Sequence, residues 1–220
     1  MNLADLHPPL GLRITAGAVE LRGVTDDDLV LLCALAEAGV HPPGDMPFYV
    51  PWTEAPPGEL ARNTAAHHWS NRATWSTTSW SLALGVWYDG ELVGSQSLRT
   101  RDFLVTRTGE TGSWLGLAHQ GRGIGTLMRQ AICAFAFDHL DAVEVSSGAF
   151  VDNPASLAVS RKVGYREDGR ERLQRRPGEV AVNQRLVLTP ETFVRGEDPL
   201  EVEGLAAFRR FVGLDADPLR

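Results

Sequence analysis

Positive charge is scarce in this 220-residue chain. Lysine and arginine together number 21 against 28 aspartates and glutamates, which gives a formal net charge of −7. A broad nucleic-acid surface requires clustered positive charge, so nucleic acid is not an expected partner. An acidic chain would suit a cationic or amine-bearing substrate, although most acidic proteins are simply well solvated.

Long apolar runs and cysteines are equally scarce. No stretch approaches the length that a membrane-spanning helix needs, and the N-terminus lacks the basic region and apolar run of a secretion signal. The two cysteines, Cys33 and Cys133, both fall within apolar helical patterns. Two buried thiols are favoured over a disulfide. We therefore expect a cytoplasmic protein that does not contact the membrane.

Histidine provides no evident metal site. The chain has six histidines, of which His67 and His68 are adjacent. Neighbouring residues on a helix point in different directions, and no third ligand lies at a useful spacing. A structural or surface role is favoured for both, and we predict no bound metal ion.

The remaining composition is that of an ordinary globular protein, with 43% hydrophobic and 22% charged residues. Apolar periodicity and turn signals predict a strand and two helices, then a hairpin at Asp89-Gly90 and a further strand. A helix, a strand, a helix and a final antiparallel pair follow. This order predicts an α+β (mixed α/β) fold around one sheet.

The expected domain spans residues 19–190. An N-terminal extension covers 1–18 and a C-terminal extension covers 191–220. The latter carries a short amphipathic segment, LAAFRRFVGL, which could dock on the body of the domain or on a second subunit.

A proline-rich segment interrupts the predicted helices at residues 40–58. It holds six of the chain's 13 prolines, interleaved with Phe48, Tyr49 and Trp52. Proline cannot donate the hydrogen bonds of a helix or central strand, so an ordered loop is predicted. Two interpretations stay open: the loop packs its aromatics over the core, or it forms a lid or substrate wall in which these three residues bind substrate.

The clearest chemical signal lies between residues 113 and 165. A predicted strand, 113–117, leads into Gln120-Gly-Arg-Gly-Ile-Gly125, which opens a helix with an apolar stripe. Glycine lets the backbone turn tightly and approach a ligand closely. The free amides and the positive dipole end of a helix form an anion site, to which Arg122 adds a permanent charge.

Two other nucleotide-binding motifs fit this segment less well. A Walker loop would continue with Gly-Lys-Ser/Thr, which does not follow here. A dinucleotide fingerprint spaces its glycines as G-x-G-x-x-G, whereas these occupy positions 121, 123 and 125. A nucleotide-binding Rossmann-type enzyme is therefore a minor alternative.

The pattern Q/R-x-x-G-x-G/A, after a strand and at the head of a helix, resembles the acyl-CoA-binding motif of GNAT acyltransferases. The downstream Asp152-Asn-Pro-Ala-Ser156 and Gly164-Tyr165 are similar to the N-x-x-S and G-F/Y of that family. Gly112-Ser-Trp-Leu115 resembles the G-Y-W-L of the subfamily named for ribosomal-protein N-terminal acetyltransferases. Within it, the chain looks most like a bacterial subgroup described as possible succinyltransferases. Two departures are Ala118, which replaces a common proline, and the length of the proline-rich loop.

The resemblance implies the GNAT fold: a central, mostly antiparallel twisted sheet flanked by helices, with splayed central parallel strands. It also implies binding of acetyl-CoA or succinyl-CoA. Three parts of the chain would make the contacts: the end of one splayed strand, the segment 120–125 (the glycine turn) with the residue after it, and one side chain before the next helix. The implied residues are Leu115, Gly116, Leu117, Gln120, Gly121, Arg122, Gly123, Ile124, Gly125, Thr126 and Asn153. From the residues alone, Asn153 is equally a helix N-cap.

The implied reaction is direct transfer of an acyl group to a primary amine of a small molecule or a peptide N-terminus, within a ternary complex. Ser156 would hydrogen-bond or protonate the departing thiolate. The base is not identified: Asp102 and Glu144 are weak candidates by position, and a water relay is equally suitable. The alternative function is a coenzyme A-binding module without turnover, and subfamily resemblance suggests a homodimer.

The acyl group is also left open by the sequence. A succinyl carboxylate would require an arginine or several amide donors near the acyl end. Arg99, Arg101 and Arg107 are candidates, as are residues of the 40–58 loop. Tyr165 is assigned to packing of the core.

Overall fold

The computed structural model describes residues 1–215. Within this part of the chain, nine strands form one sheet: β1 (Arg13–Ala16), β2 (Val19–Gly23), β3 (Ser79–Tyr88), β4 (Glu91–Arg101), β5 (Thr108–Leu115), β6 (Glu144–Phe150), β7 (Arg166–Arg176), β8 (Glu179–Leu188) and β9 (Glu201–Glu203). The seven α-helices of the same residues are α1 (Leu3–Leu6), α2 (Asp26–Glu37), α3 (Leu60–Ala73), α4 (Phe103–Thr106), α5 (Ile124–His139), α6 (Pro154–Val163) and α7 (Leu205–Phe211).

The sheet is antiparallel except at its centre. Its strand order is β7-β8-β6-β5-β4-β3-β2-β1-β9, and among the described strands only β5 and β6 pair in parallel. The predicted α+β fold, with a mostly antiparallel sheet and central parallel strands, is confirmed.

Local signals account for several of the element ends. The Thr25 side chain accepts from the Asp28 amide while the Asp28 carboxylate accepts from the Thr25 amide, a capping box that starts α2. Asp89 and Gly90 both have positive φ, 50° and 81°, as a tight hairpin turn between β3 and β4 requires. Gly164 ends α6 at φ 100°.

Helices cover both faces of the sheet. The stripe of α5 that includes Ile124, Met128 and Phe135 is buried in the larger core, against β1, β2 and β4. On the opposite face, α2 packs with α3 and with the Trp114 side chain of β5. The central strands are thus covered on both faces.

The flanking segments, which the sequence analysis sets apart as extensions, each add a strand to the same sheet. β1 pairs with β2, and β9 pairs with β1. The α7 side chain Phe208 is fully buried, with its ring 5.8 Å from that of Phe135 and 5.9 Å from that of Trp80. The amphipathic segment therefore docks on its own chain, and its apolar face is not free to bind a second subunit.

Other predictions concern thiols and histidines. Cys33 and Cys133 are both buried, and each carries a free thiol within the described residues. His68 is buried, whereas His67 is exposed and lies 3.1 Å from the Asn71 amide. No group of three potential metal-ligating side chains occurs in residues 1–215. In the same residues, no helix has the length and apolar character needed to cross a membrane.

We expect Phe208→Ala to lower the free energy of unfolding by about 3–5 kcal/mol, because truncation leaves a cavity in the core. Chemical denaturation measures the change. Val30→Ala is the control, since Val30 is 69% exposed and surface changes typically stay within about 0.5 kcal/mol. Equal effects in the two variants would contradict integration of α7 into the core.

Burial lowers the pKa of His68 to about 4 from its ordinary value of 6.5. The unfolded chain therefore binds this proton more tightly, and the stabilisation present above pH 6.5 is lost as the pH falls towards 4. His68→Gln removes one titrating group, so the difference in unfolding free energy between the two proteins should change by about 1.4 kcal/mol per pH unit within that window. Denaturant titrations at several pH values test this, and a pH-independent difference would contradict it.

Candidate active site

β5 and β6 separate soon after they meet. Their register contains only three pairs, which end at Glu110 and Ser146. Beyond them, β5 continues along β4 as far as Leu115, and β6 continues along β8 as far as Phe150. The predicted splay of the central parallel strands is confirmed.

Side chains close the narrow end of this gap. The Ser147 hydroxyl donates to the Thr111 carbonyl at 3.2 Å, so the main chain of Thr111 faces β6. The Gly112 carbonyl instead accepts from Ser97 of β4 at 3.1 Å. Because main-chain groups alternate in direction along a strand, those of Ser113 and Leu115 face the gap.

The glycine turn lies where β5 ends. Gly121 and Gly123 have φ values of 73° and 85°, which side chains rarely adopt, and a Cβ added to either would project into open space. Within the described residues, the amides of Gly123, Ile124 and Gly125 have no acceptor, whereas the Thr126 amide donates to the Gly123 carbonyl at 2.9 Å. The turn therefore presents unpaired donors at the positive end of α5.

Gln120 connects the turn to its surroundings. Its side-chain amide donates to the carbonyls of Leu115, at 2.9 Å, and Val40, at 2.7 Å. The Leu117 amide donates to the Gly39 carbonyl at 2.9 Å. Gln120 and Leu117 thus fix the turn against the end of α2, which leaves Ser113 and Leu115 as the strand residues with main-chain groups towards the gap.

Arg122 is the cation of the turn. Its side chain is exposed, and the guanidinium carbon lies 5.5 Å from the centre of the Tyr88 ring. Arg122 therefore adds a permanent positive charge to the turn that carries the unpaired amides, which favours an anion.

α6 brings Asn153 and Ser156 towards the same region. A Cβ added to Gly125 would lie 3.4 Å from Val159, so the start of α5 packs directly on α6. The Asn153 side-chain oxygen accepts from the Ser156 amide at 3.1 Å, which caps α6. The Asn153 NH₂ group and the half-buried Ser156 hydroxyl make no hydrogen bond to the described residues.

The proline-rich loop lies on the opposite face of the gap. The Phe48 and Trp52 rings pack at a tilt with 5.2 Å between their centres, and the Trp52 and Trp114 rings do the same at 5.5 Å. The loop therefore packs its aromatics on a splayed strand, as the first of the two interpretations expects; binding of substrate by these residues stays a prediction.

Tyr49 reaches the other splayed strand. Its hydroxyl donates to Asn183 at 2.9 Å, and the Asn183 amide donates to Glu171 at 2.9 Å. A Cβ on Gly148 would approach the Tyr49 oxygen to 1.8 Å, so a side chain at this position of β6 would displace the Tyr49 hydroxyl. Burial raises the pKa of Tyr49 to about 12, which keeps its hydroxyl protonated at neutral pH.

A polar groove of about 560 Å³ lies on this face beside the paired part of β5 and β6. Its lining includes Glu110 and Glu144, together with Arg99 and Arg101. Arg99 pairs with Glu110 at 2.9 Å. Of the two base candidates, Glu144 thus lines the groove, at the end of the three-pair register away from the gap, whereas Glu110 pairs with Ser146 where the gap begins.

Asp102 and Arg107 flank α4, on the connection between β4 and β5. This connection is at the end of β5 remote from the glycine turn. The structure does not bring either residue to the open part of the gap.

Arg129 of α5 is a site residue that the sequence analysis did not identify. It is 4% exposed, and its guanidinium donates to Ser113 of β5 at 3.0 Å and to Ser147 of β6 at 3.2 Å. The signal was present, because Arg129 is the only charged residue between positions 124 and 137. Tyr165, assigned to packing, is buried below it, with its hydroxyl 2.9 Å from that of Thr111.

Known proteins resemble this chain in sequence and in fold. The chain is 36% identical over 91 residues to "Putative ribosomal N-acetyltransferase YdaF" of Bacillus subtilis (strain 168). That match covers 41% of this chain and 49% of the relative, so it spans about half the length of the curated protein.

Solved structures share the fold. RimJ of Mycobacterium smegmatis, in complex with a coenzyme A disulfide, aligns with a TM-score of 0.65 at 21% identity, over 82% of this chain and 86% of its own. The ribosomal L7/L12 alpha-N-protein acetyltransferase RimL, in complex with coenzyme A, aligns with a TM-score of 0.61 at 17% identity, over 79% and 95%. The acetyltransferase (GNAT) domain family matches residues 18–166. This chain therefore belongs to the GNAT acetyltransferase family.

Proposed function

We propose that this chain is an acyl-CoA-dependent N-acyltransferase that moves an acetyl or succinyl group to a primary amine, with a peptide or protein N-terminus as the favoured acceptor. The observation that carries the proposal is the parting of β5 and β6 beside a helix start whose amides are unpaired. The gap between β5 and β6 exposes the main-chain edges of these strands, and the start of α5 presents an anion site.

The donor side of the proposal rests on α5 and α6. The amides of Gly123, Ile124 and Gly125 would hold the pyrophosphate, with Arg122 as a counter-charge. Main-chain groups of Leu115, and the NH₂ group of Asn153, would hold the pantetheine arm like an added strand. The remaining predicted residues act indirectly: Gln120 and Leu117 fix the turn, and Ile124 is also anchored in the core.

The acceptor would approach from the face that carries the proline-rich loop. Tyr49, Phe48 and Trp52 lie on that face, as does the groove lined by Glu110 and Glu144. Carboxylates near the narrow end of the gap would attract a protonated amine. Glu144, directly or through a water molecule, is our candidate for accepting its proton.

Each group at the site would have its own role in the transfer. An acyl thioester bound in the gap would supply an activated carbonyl carbon. The amine nitrogen forms its bond to that carbon as the carbon–sulfur bond breaks, and an amide of β5 would stabilise the carbonyl oxygen. The proton lost by the amine goes to the base, and Ser156 would donate a hydrogen bond or proton to the sulfur.

A peptide N-terminus is favoured for two reasons. The relative that matches at 36% identity is named as a ribosomal N-acetyltransferase. The groove of about 560 Å³ is open and polar, which suits an extended chain better than a buried small ligand. A homodimer stays a prediction that rests on subfamily resemblance.

Thiol release with acetyl-CoA or succinyl-CoA over a panel of peptides tests the function. Matched peptides with a free or an acetylated N-terminus separate the α-amine from lysine side chains. We expect release only with the free N-terminus. Binding of coenzyme A without any release would favour a non-catalytic module, and the absence of both binding and release would refute the proposal.

We expect Gly123→Val to weaken coenzyme A binding at least tenfold, because the new side chain strains a positive-φ position, by about 1–3 kcal/mol, and projects over the unpaired amides. Calorimetric titration measures the dissociation constant. Gly178→Val is a matched control, since Gly178 has φ 77° and open space around it but lies in the β7–β8 turn. Equal affinities for the two variants would refute the assignment of the turn.

We expect Ser156→Ala to lower kcat by about tenfold to a hundredfold with little change in the dissociation constant of coenzyme A, because the hydroxyl acts on the departing sulfur. Ser156→Thr keeps the hydroxyl and should recover part of the rate. Steady-state kinetics with a fixed peptide provide the comparison. An unchanged kcat in the alanine variant would remove Ser156 from the mechanism.

A further inference from the structure

Tyr49 holds its hydroxyl beside the parted section of β6. Its ring packs edge-to-face against Phe150 of that strand, with 5.6 Å between ring centres. The hydroxyl fills the space that a Cβ of Gly148 would occupy. Gly148 lies two residues beyond Ser146, where the paired register of β6 ends. The Tyr49 oxygen is therefore fixed next to the gap, on the face of the sheet that carries the proline-rich loop.

Glycine also occupies the corresponding position of β5. Gly112 lies two residues beyond Glu110, the last residue of that strand to pair with β6. Side chains alternate between the two faces along a strand, so both glycines stand on the face that carries Glu110 and the groove. Neither has a side chain that could separate the Tyr49 hydroxyl from the gap. A small group bonded to Tyr49 would therefore border a ligand that is held along Ser113.

Two consecutive hydrogen bonds set the direction of the Tyr49 hydroxyl. The Asn183 amide donates to the Glu171 carboxylate at 2.9 Å. An ionised carboxylate only accepts hydrogen bonds, so the Asn183 NH₂ group faces Glu171 and its carbonyl oxygen faces Tyr49. The Tyr49 hydroxyl donates to that oxygen at 2.9 Å. Because Asn183 is only 1% exposed, bulk water offers its amide no alternative partner.

The bond to Asn183 uses the one proton of the Tyr49 hydroxyl and leaves its oxygen as an acceptor. No donor among residues 1–215 forms a hydrogen bond to this oxygen. Burial above all, together with the negative charges of Glu110 and Glu171, raises the pKa of Tyr49 to about 12. At neutral pH the group is thus a neutral hydroxyl, which accepts a hydrogen bond without taking up a proton.

Other polar groups on this face are less suited to orient an amine. Glu110 is already paired with Arg99 at 2.9 Å. Ser97 lies on β4, one strand away from the gap, and its hydroxyl donates to a carbonyl of β5 at 3.1 Å. The Trp52 indole can only donate a hydrogen bond. Tyr49 combines a neutral acceptor oxygen with a position at the gap.

We infer that the Tyr49 oxygen accepts a hydrogen bond from the attacking amine, and that Asn183 and Glu171 are positioning residues that keep this oxygen an acceptor. The inference rests on the proposed function. An amine that donates one N–H to Tyr49 is held beside the gap, while its lone pair stays free to attack the acyl carbon. The proton that the nitrogen loses still goes to the separate base, and Tyr49 keeps its own.

Peptide binding to the enzyme saturated with coenzyme A tests the contact without turnover. Calorimetric titration compares two peptides of one sequence, the sequence that gives the fastest thiol release with the wild type. One has a free N-terminal amine, and in the other hydrogen replaces that amine. Tyr49→Phe keeps the ring on Phe150 and should weaken binding of the amine peptide at least fivefold, but that of the desamino peptide less than twofold. Equal weakening of both peptides, or of neither, would overturn the inference.

Steady-state kinetics with the amine peptide then test the positioning residues. Tyr49→Phe should lower kcat/KM for the peptide at least tenfold and leave the dissociation constant of coenzyme A within twofold. Glu171→Gln should lower kcat/KM at least threefold, because a glutamine amide can also donate and lets the Asn183 amide reverse. Glu171→Asp keeps the carboxylate and should recover part of the loss. An unchanged kcat/KM in Glu171→Gln would overturn the positioning role.

Tyr165→Phe is the matched control. It removes a tyrosine hydroxyl that is buried against α5, on the opposite face of the sheet, and should retain the wild-type kcat/KM for the peptide. A loss in Tyr165→Phe as large as that in Tyr49→Phe would overturn the inference while leaving the proposed function intact. The absence of thiol release by the wild type with every peptide would instead refute the proposed function itself.

Discussion

The parting of β5 and β6 after three residue pairs is the constraint on which the rest of the site depends. Strands that separate within a sheet leave main-chain groups without their usual partners, and buried groups of this kind must be satisfied. Ser147 and Thr111 close the narrow end, and Gln120 reaches back to the Leu115 carbonyl. The main-chain groups that still face the gap, at Ser113 and Leu115, are those available to an extended ligand.

The two faces of the sheet differ in what they offer to that gap. On one face, the starts of α5 and α6 provide unpaired amides and hydroxyls, which favour an anionic ligand. On the other, the proline-rich loop places its aromatics on Trp114 and brings Tyr49 close to Gly148. In the proposed reaction, two substrates that enter from opposite faces would meet at the gap without competing for the same surface. Arg129, in its floor, is buried and forms no ion pair with residues 1–215.

Much of the fold could be predicted from local signals. Local signals could identify the capping box at Thr25, the Asp89-Gly90 turn and the two ends of α6, at Asn153 and Gly164. Each of these features depends on residues close together in the chain. The short strands β1 and β9 were missed, because four and three residues carry too little periodicity. Their pairing depends on β2, which is remote from β9 in the sequence. The glycine turn was correctly placed, but the amides already engaged at Leu117 and Thr126 became known only from their tertiary contacts.

The sequence by itself determined the elements, the glycine turn and the family resemblance, because each depends on residues close together in the chain. Only the tertiary structure decided which side chains share the gap. It placed Glu144 in the groove beside the paired part of β5 and β6, and Asp102 outside that groove, although both are acidic residues near strand ends. It also showed that Arg129 is buried between Ser113 and Ser147. The physical reason is that burial and charge pairing are properties of neighbours in space, and these neighbours come from strands up to 34 positions apart in the chain.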